Sequence, residues 1–181
     1  MNNFLISILG VMAFGSLSLG GSLQCVQDAY SMSHPDLTKG EALRLCQGSL
    51  NSAPVQCFKE AYQLSGPYLS NDQAIDLCVG SLSVAPVACL KEAYTMTNPD
   101  LTETQAIQLC LRAPNALGPV SCVMEAFGLS YPSISKDQSV RLCVHANSTS
   151  PVACVTEAMA NSNPDLNLEE SLTLCRVPYS R

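Results

Sequence analysis

From residue 21 onward, the apolar residues of this 181-residue chain form short helical stripes separated by turns. In one such stripe, Ala42, Leu43 and Cys46 occupy positions i, i+1 and i+4, which lie on one face of a helix. The alternation of Leu43 and Leu45 also fits a strand, but a helix-start signal just before this stripe favours a helix. The pattern therefore predicts an all-α protein built from short helices.

The chain divides into five blocks, and the second stripe of every block begins with the signature of a capping box. A Ser, Thr or Asn is followed three residues later by Glu or Gln, so that each side chain can bond to an orphan backbone N–H. The five pairs are Thr38 and Glu41, Ser70 and Gln73, Thr102 and Gln105, Ser135 and Gln138, and Asn167 and Glu170. Each block thus predicts a helix, a turn that contains proline, and a capped helix.

The first stripe of the last four blocks opens with proline, which suits the first turn of a helix because its missing N–H is harmless there. These residues are Pro54, Pro86, Pro119 and Pro151. A further proline follows each first stripe, as Pro35 and Pro99 do, and we expect it to stop that helix.

The cysteines give the blocks a fixed period, because intervals of 21 residues alternate with intervals of 11, once 12. They are Cys25, Cys46, Cys57, Cys78, Cys89, Cys110, Cys122, Cys143, Cys154 and Cys175. This period of 32 residues, once 33, predicts five helix-turn-helix units stacked as a short α-solenoid. The unit boundaries fall at about 22–52, 53–84, 85–117, 118–149 and 150–181.

The repeat also indicates how the cysteines pair. Pairing within units uses all ten cysteines, whereas pairing across the junctions leaves Cys25 and Cys175 alone at opposite ends. In a helical hairpin both cysteines of a unit lie at the same level, because each is about eight residues from the turn. The one-residue insertion that lengthens one interval to 12 falls between Arg112 and Ser121, so it leaves every interval of 21 intact. We therefore expect five disulfides, each closing one unit and contributing about 3 kcal/mol.

Residues 1–20 predict a signal peptide, and residues 21–181 predict the repeat domain. The run from Phe4 to Leu19 is uncharged, but Gly and Ser dilute it and it is shorter than the roughly 20 apolar residues of a membrane span. Small residues at Ser18 and Gly20 suit cleavage before Gly21 or one residue later. Residues 1–3 carry no Lys or Arg, which leaves a retained anchor as the alternative. After cleavage we expect no membrane span.

Composition narrows the function classes. The chain has 15 acidic residues against 9 Lys and Arg, a formal net charge of −6 and no basic cluster, which argues against a nucleic-acid partner. Ten cysteines behind a secretory leader indicate an extracellular protein, or a periplasmic one in a bacterium. Zinc sites use closely spaced cysteines or neighbouring histidines. The cysteines of this chain are at least 11 residues apart, and its two histidines, His34 and His145, occupy different repeat positions. We expect no metal, no cofactor and no catalytic constellation.

One acidic residue follows the first cysteine of each unit by three positions. This acid column consists of Asp28, Glu60, Glu92, Glu125 and Glu157. In stacked units it could bind cations or provide an acid/base pair. A solvated helix face, or bonds from each carboxylate to a neighbouring turn, explains the column more simply.

A second column, two residues before the second cysteine of each unit, is polar and differs from unit to unit. It consists of Arg44, Asp76, Gln108, Arg141 and Thr173. Repeat arrays bind through positions that vary on a constant frame, so this column is the candidate binding face. Separately, Asn147 opens an Asn-Ser-Thr sequon in an exposed junction and is a candidate glycosylation site in a eukaryotic host.

These features predict a secreted, non-enzymatic binding protein whose rigid scaffold contacts a protein or a surface polymer. One alternative is an extracellular carrier of an apolar small ligand, which requires a buried cavity lined by aromatic side chains. The candidate aromatic residues are Tyr30, Tyr62, Tyr94 and Phe127. The other alternative is a secreted hydrolase, which requires two carboxyls of the acid column about 5 to 10 Å apart in a cleft.

Overall fold

A computed structural model of the chain describes residues 20–33, 35–64, 69–161 and 165–178. This part of the chain contains ten α-helices and no strand. The helices are α1 (Gly20–Tyr30), α2 (Lys39–Leu45), α3 (Ala53–Tyr62), α4 (Asn71–Cys78), α5 (Ala85–Thr95), α6 (Glu103–Cys110), α7 (Gly118–Gly128), α8 (Lys136–Cys143), α9 (Ser150–Ala160) and α10 (Leu168–Cys175). His34 and the predicted signal peptide, apart from Gly20, lie outside the described residues.

Each successive pair of helices forms one unit, and a disulfide closes every unit. The bonds are Cys25–Cys46, Cys57–Cys78, Cys89–Cys110, Cys122–Cys143 and Cys154–Cys175. The two Cα atoms of each pair are 5.5 to 5.7 Å apart, which is the usual separation for a disulfide. The predicted pairing within units is confirmed.

The units stack as two parallel rows of helices. The first helices pack on one another in the order α1, α3, α5, α7 and α9, and the second helices in the order α2, α4, α6, α8 and α10. The predicted short α-solenoid is therefore confirmed. Its core runs between the two rows and contains nine of the ten cysteines, with Cys154 packed against it, together with side chains such as Phe58, Ile75 and Leu90.

Local sequence explains where the second helices begin. In all five, the Ser, Thr or Asn side chain accepts the N–H of the third helical residue, and that residue's side chain bonds back to the cap backbone. The prolines that open the first stripes lie in the first turns of α3, α5, α7 and α9, as predicted. Helices of seven to eight residues are marginal alone in water, so capping, packing and the disulfides together hold them.

The prolines that follow the first helices do not stop them directly. Helix α1 ends at Tyr30, five residues before Pro35, and α5 ends at Thr95, four residues before Pro99. The chain therefore leaves the helix in the residues before each proline. The aliphatic residue two positions after the proline, such as Leu37 or Leu101, is buried under the turn.

Candidate binding surface

All five residues of the candidate binding face lie on the second-helix row, and all five are exposed. We call this set the second-helix face: Arg44, Asp76, Gln108, Arg141 and Thr173. Adjacent members meet at one junction, where Arg44 Nη2 lies 3.1 Å from Asp76 Oδ1. The face is thus a strip of polar side chains that runs along the stack.

Two members of the second-helix face also form ion pairs with the neighbouring unit. Arg44 Nη1 donates to Asp72 Oδ1 at 2.9 Å, and Arg141 Nη2 donates to both carboxylate oxygens of Glu169 at 3.2 Å. These pairs are exposed and add little to stability. Their effect is to fix where the two arginine side chains stand on the face.

The glutamines of the capping boxes bridge the units as well, which the sequence analysis did not predict. Their Nε2 groups donate to a carboxylate in the first turn of the next second helix. The bonds are Gln73 to Glu103 at 2.9 Å, Gln105 to Asp137 at 2.6 Å and Gln138 to Glu169 at 2.8 Å. The sequence feature that could have predicted these bonds is an acidic residue at the first or second position of the second helix in the following unit.

Glu169 receives hydrogen bonds from two residues of the preceding unit. The bond from Gln138 and the nearby Arg141 guanidinium hold the pKa of the Glu169 carboxyl below its usual value. The Glu169 carboxylate therefore stays ionised near neutral pH.

The acid column makes structural contacts at its first two members. Asp28 accepts hydrogen bonds from the hydroxyl of Ser52 in the next unit and from Gln24 Nε2, and these lower the pKa of its carboxyl. Glu60 accepts from Gln56 Nε2 at 3.2 Å. A general acid needs a raised pKa, so the contacts of Asp28 favour the structural explanation of the column.

The four aromatic residues differ in exposure, and two of them lie at the surface. Tyr30 is 65% exposed and Tyr62 is 39% exposed, so neither ring walls off an internal space. Tyr94 is partly buried, and burial together with the Glu103 carboxylate raises the pKa of its hydroxyl to about 12. Two of the four rings therefore do not line the buried cavity that the apolar-carrier alternative required.

A different cavity of about 310 Å³ lies along the segments that follow the second helices of units two to five. It is lined by residues 80–83, 112–114, 145, 177 and 178. The charged or titratable side chains in this lining are Arg112 and His145, and the lining contains no acid. The hydroxyl of Ser81 is buried there without a hydrogen-bond partner among the described residues.

The two basic residues of this cavity have an unusual backbone conformation. Gly48 and Gly80, two residues after the second cysteine of their units, have φ of +71° and +70°. Arg112 and His145 occupy the same repeat position with φ of +52° and +64°. A positive φ of this size belongs to the left-handed region, which costs a residue with a side chain about 1 to 2 kcal/mol. Such backbone strain is concentrated at functional sites. The replacement of glycine by a basic residue in this column was the sequence signal for the cavity.

The surroundings of the cavity hold the Arg112 side chain and lower the pKa of His145. Arg112 Nε donates to the carbonyl oxygen of Val79 at 2.8 Å, which directs the guanidinium toward the preceding loop. Burial lowers the pKa of the His145 imidazole, and the nearby charges of Arg112 and Arg176 lower it further. The cavity therefore combines a fixed cation, an imidazole held toward its neutral form and a buried hydroxyl.

Asn147, the candidate glycosylation residue, is exposed at the junction between α8 and α9. Its carbonyl oxygen accepts from Asn115 Nδ2 at 3.2 Å, a bond between adjacent junctions. Within the described ranges, no group of three His, Cys, Asp or Glu residues is placed to hold a metal ion. No helix in that part of the chain has the length and apolar character to cross a membrane.

The chain was compared with family models, with curated proteins and with solved structures. None of these comparisons found a match.

Proposed function

We propose that this protein is a secreted, non-enzymatic binding protein whose second-helix face contacts a protein or a neutral surface polymer. The observation that carries the proposal is the row of five exposed polar residues that vary between units on an otherwise repeated frame. Five disulfides favour an oxidising compartment and therefore an extracellular or periplasmic location.

The frame explains how such a face would bind. Disulfides and ladder contacts fix the helices before binding, so little conformational entropy is lost when the partner docks. The face mixes cations with an acid, as Arg44, Asp76 and Arg141 illustrate, and therefore suits a partner of mixed polarity. The net charge of −6 disfavours a strongly anionic polymer.

Site-specific crosslinking tests this proposal. A photoreactive amino acid replaces Gln108 at the centre of the second-helix face, and in a matched control it replaces the exposed Lys91 on the first helix of the same unit. In the native extracellular milieu, we expect a discrete crosslinked product from position 108 that is absent from position 91. Gln108→Ala combined with Arg141→Ala should then weaken binding of the captured partner. The same products from both positions would contradict the proposed face.

The cavity between the junction loops supports a second candidate function, the binding of a small organic anion. Arg112 and the Ser81 hydroxyl suit a carboxylate, and Leu82, Pro114 and Val177 suit an apolar group attached to it. A volume of about 310 Å³ is at the lower end of the range for small-molecule sites.

Calorimetric titration with benzoate and with its neutral amide tests this second candidate. Benzoate should bind and benzamide should not. Arg112→Asn keeps a residue that tolerates a positive φ but removes the cation, and it should weaken benzoate binding about tenfold. Arg141→Asn, outside the cavity, serves as the control and should leave binding unchanged. Equal binding of acid and amide would contradict an anion site.

A further inference from the structure

The first unit exposes apolar side chains that all later units bury. Leu23 is 61% exposed and Leu43 is 51% exposed. The counterparts of Leu23 are at most 5% exposed, and those of Leu43 at most 9%. These counterparts are Val55, Val87, Val120 and Val152 for the first column, and Ile75, Ile107, Val140 and Leu172 for the second. Units two to five each follow another unit, so both columns face the preceding unit.

The last unit shows the opposite pattern. Leu174 is 66% exposed, whereas its counterparts in units one to four are at most 1% exposed. These counterparts are Leu45, Leu77, Leu109 and Leu142. Units one to four each precede another unit, so this column faces the following unit. Leu166 is likewise only partly buried, although its counterparts in units one to four are buried.

The polar residues at the two ends are also complementary. At an internal junction, the third residue of one second helix bonds to the first turn of the next, as Gln73 does to Glu103. The last unit presents Glu170 at that third position, and the first unit presents Lys39 at the first helical position. Both are exposed. The two ends thus offer opposite charges where an internal junction has an amide and a carboxylate.

We propose that copies of this chain associate end to end, with the Leu174 end of one copy on the Leu23 and Leu43 end of the next. The contact would repeat the packing that already joins the units inside one chain, with Glu170 of one copy opposite Lys39 of the other. Such an interface is heterologous, so repeating it adds further copies instead of stopping at a symmetric dimer. The proposal does not depend on what the second-helix face binds.

Mass measurement by sedimentation and light scattering tests the proposal. The full-length chain is expressed through an oxidising secretory route and measured from about 10 µM to about 1 mM, the range of a small transient interface. We expect the average mass to rise with concentration beyond that of a dimer. Leu43→Glu blocks the end formed by the first unit, and Leu174→Glu blocks the end formed by the last unit. Each variant alone should therefore remain monomeric. An equimolar mixture of the two should form a dimer and stop there.

Leu117→Glu is the matched control, because Leu117 is 58% exposed, like the end residues, but lies in the loop between the third and fourth units. It should assemble like the parent chain. Circular dichroism of each variant establishes that it is folded. The proposal would be overturned if the parent chain stayed monomeric over the whole concentration range. That result would mean that another partner, or residues 1–19, covers the ends. The absence of a dimer in the mixture would overturn the proposal as well.

Charge replacement tests the orientation of the contact. Lys39→Glu places a carboxylate opposite Glu170 and should weaken association about three- to tenfold. Adding Glu170→Gln recreates the amide and carboxylate pair of the internal junctions and keeps the capping box of α10, so association should return to within about twofold of the parent chain. A double variant no better than Lys39→Glu would contradict this register.

Discussion

Gly118 and Gly128 begin and end the same helix but have different surroundings. A Cβ at Gly118 would lie 2.5 Å from the carbonyl oxygen of Ala146, whereas one at Gly128 would have no atom within 4 Å. Gly118→Ala should therefore lower the free energy of unfolding by about 1 to 3 kcal/mol. Gly128→Ala should leave it unchanged or raise it by up to about 1 kcal/mol. Urea unfolding of the disulfide-bonded protein checks both, and equal effects would contradict the close contact.

His145 should make stability depend on pH near neutrality. Its pKa is lowered in the folded protein, so between that value and about 6.5 the unfolded chain binds more protons than the folded one. The free energy of unfolding should therefore fall as the pH drops through about 6.5, and level off below the folded-state pKa.

His145→Asn provides the comparison, because Asn tolerates the same backbone conformation without titrating. Urea unfolding from about pH 7.5 to about pH 5.5 should show a smaller decrease in the variant than in the parent chain. The same decrease in both proteins would show that burial of His145 is not its source.

Single residues differed in how far the sequence revealed them. The capping residues and the cysteines were predicted because their chemistry acts within one unit. Arg112 and His145 were not, because the cavity joins loops that are far apart in the chain. Comparison of their column with Gly48 and Gly80 would have marked them.

The capping boxes are the strongest element-scale feature of the sequence, and α6 offers a clean test. Thr102 accepts the N–H of Gln105, so Thr102→Ala should lower the free energy of unfolding by about 1 kcal/mol. Thr104→Ala, at the second position of the same helix, removes the same atoms without removing the cap and should be neutral or slightly stabilising. Urea unfolding followed by circular dichroism compares them. Similar losses in both variants would mean that the cap contributes nothing.

Helix identity was predictable, whereas burial at the ends was not. The apolar stripe treats Leu43 and Leu45 alike, yet Leu45 is buried and Leu43 is exposed. The apolar stripe predicts which residues face a neighbouring unit. It does not predict whether a neighbouring unit is present on that side, as it is not for Leu43 in the first unit. The same reason separates Leu142, which is buried, from Leu174.

At the scale of the whole molecule, the sequence predicted the stack because five units share one period. The five residues of the predicted binding face lie on the second-helix row and are exposed. The sequence did not predict that Arg44 and Arg141 also bond to the next unit, since that depends on the offset between stacked helices. In such an array, stability is the sum of unit and junction contributions, so these contacts determine register more than total stability.

The central claim is that a disulfide within every unit holds the short helices in place, and peptide mapping of the unreduced protein tests it most directly. The intact protein should be lighter than its reduced form by ten hydrogen atoms, two for each of the five bonds. Peptides that contain Cys25 and Cys46 should remain linked, and so should the corresponding pair of every other unit. Links across the junctions, such as one between Cys46 and Cys57, or free thiols in the folded protein would contradict the account.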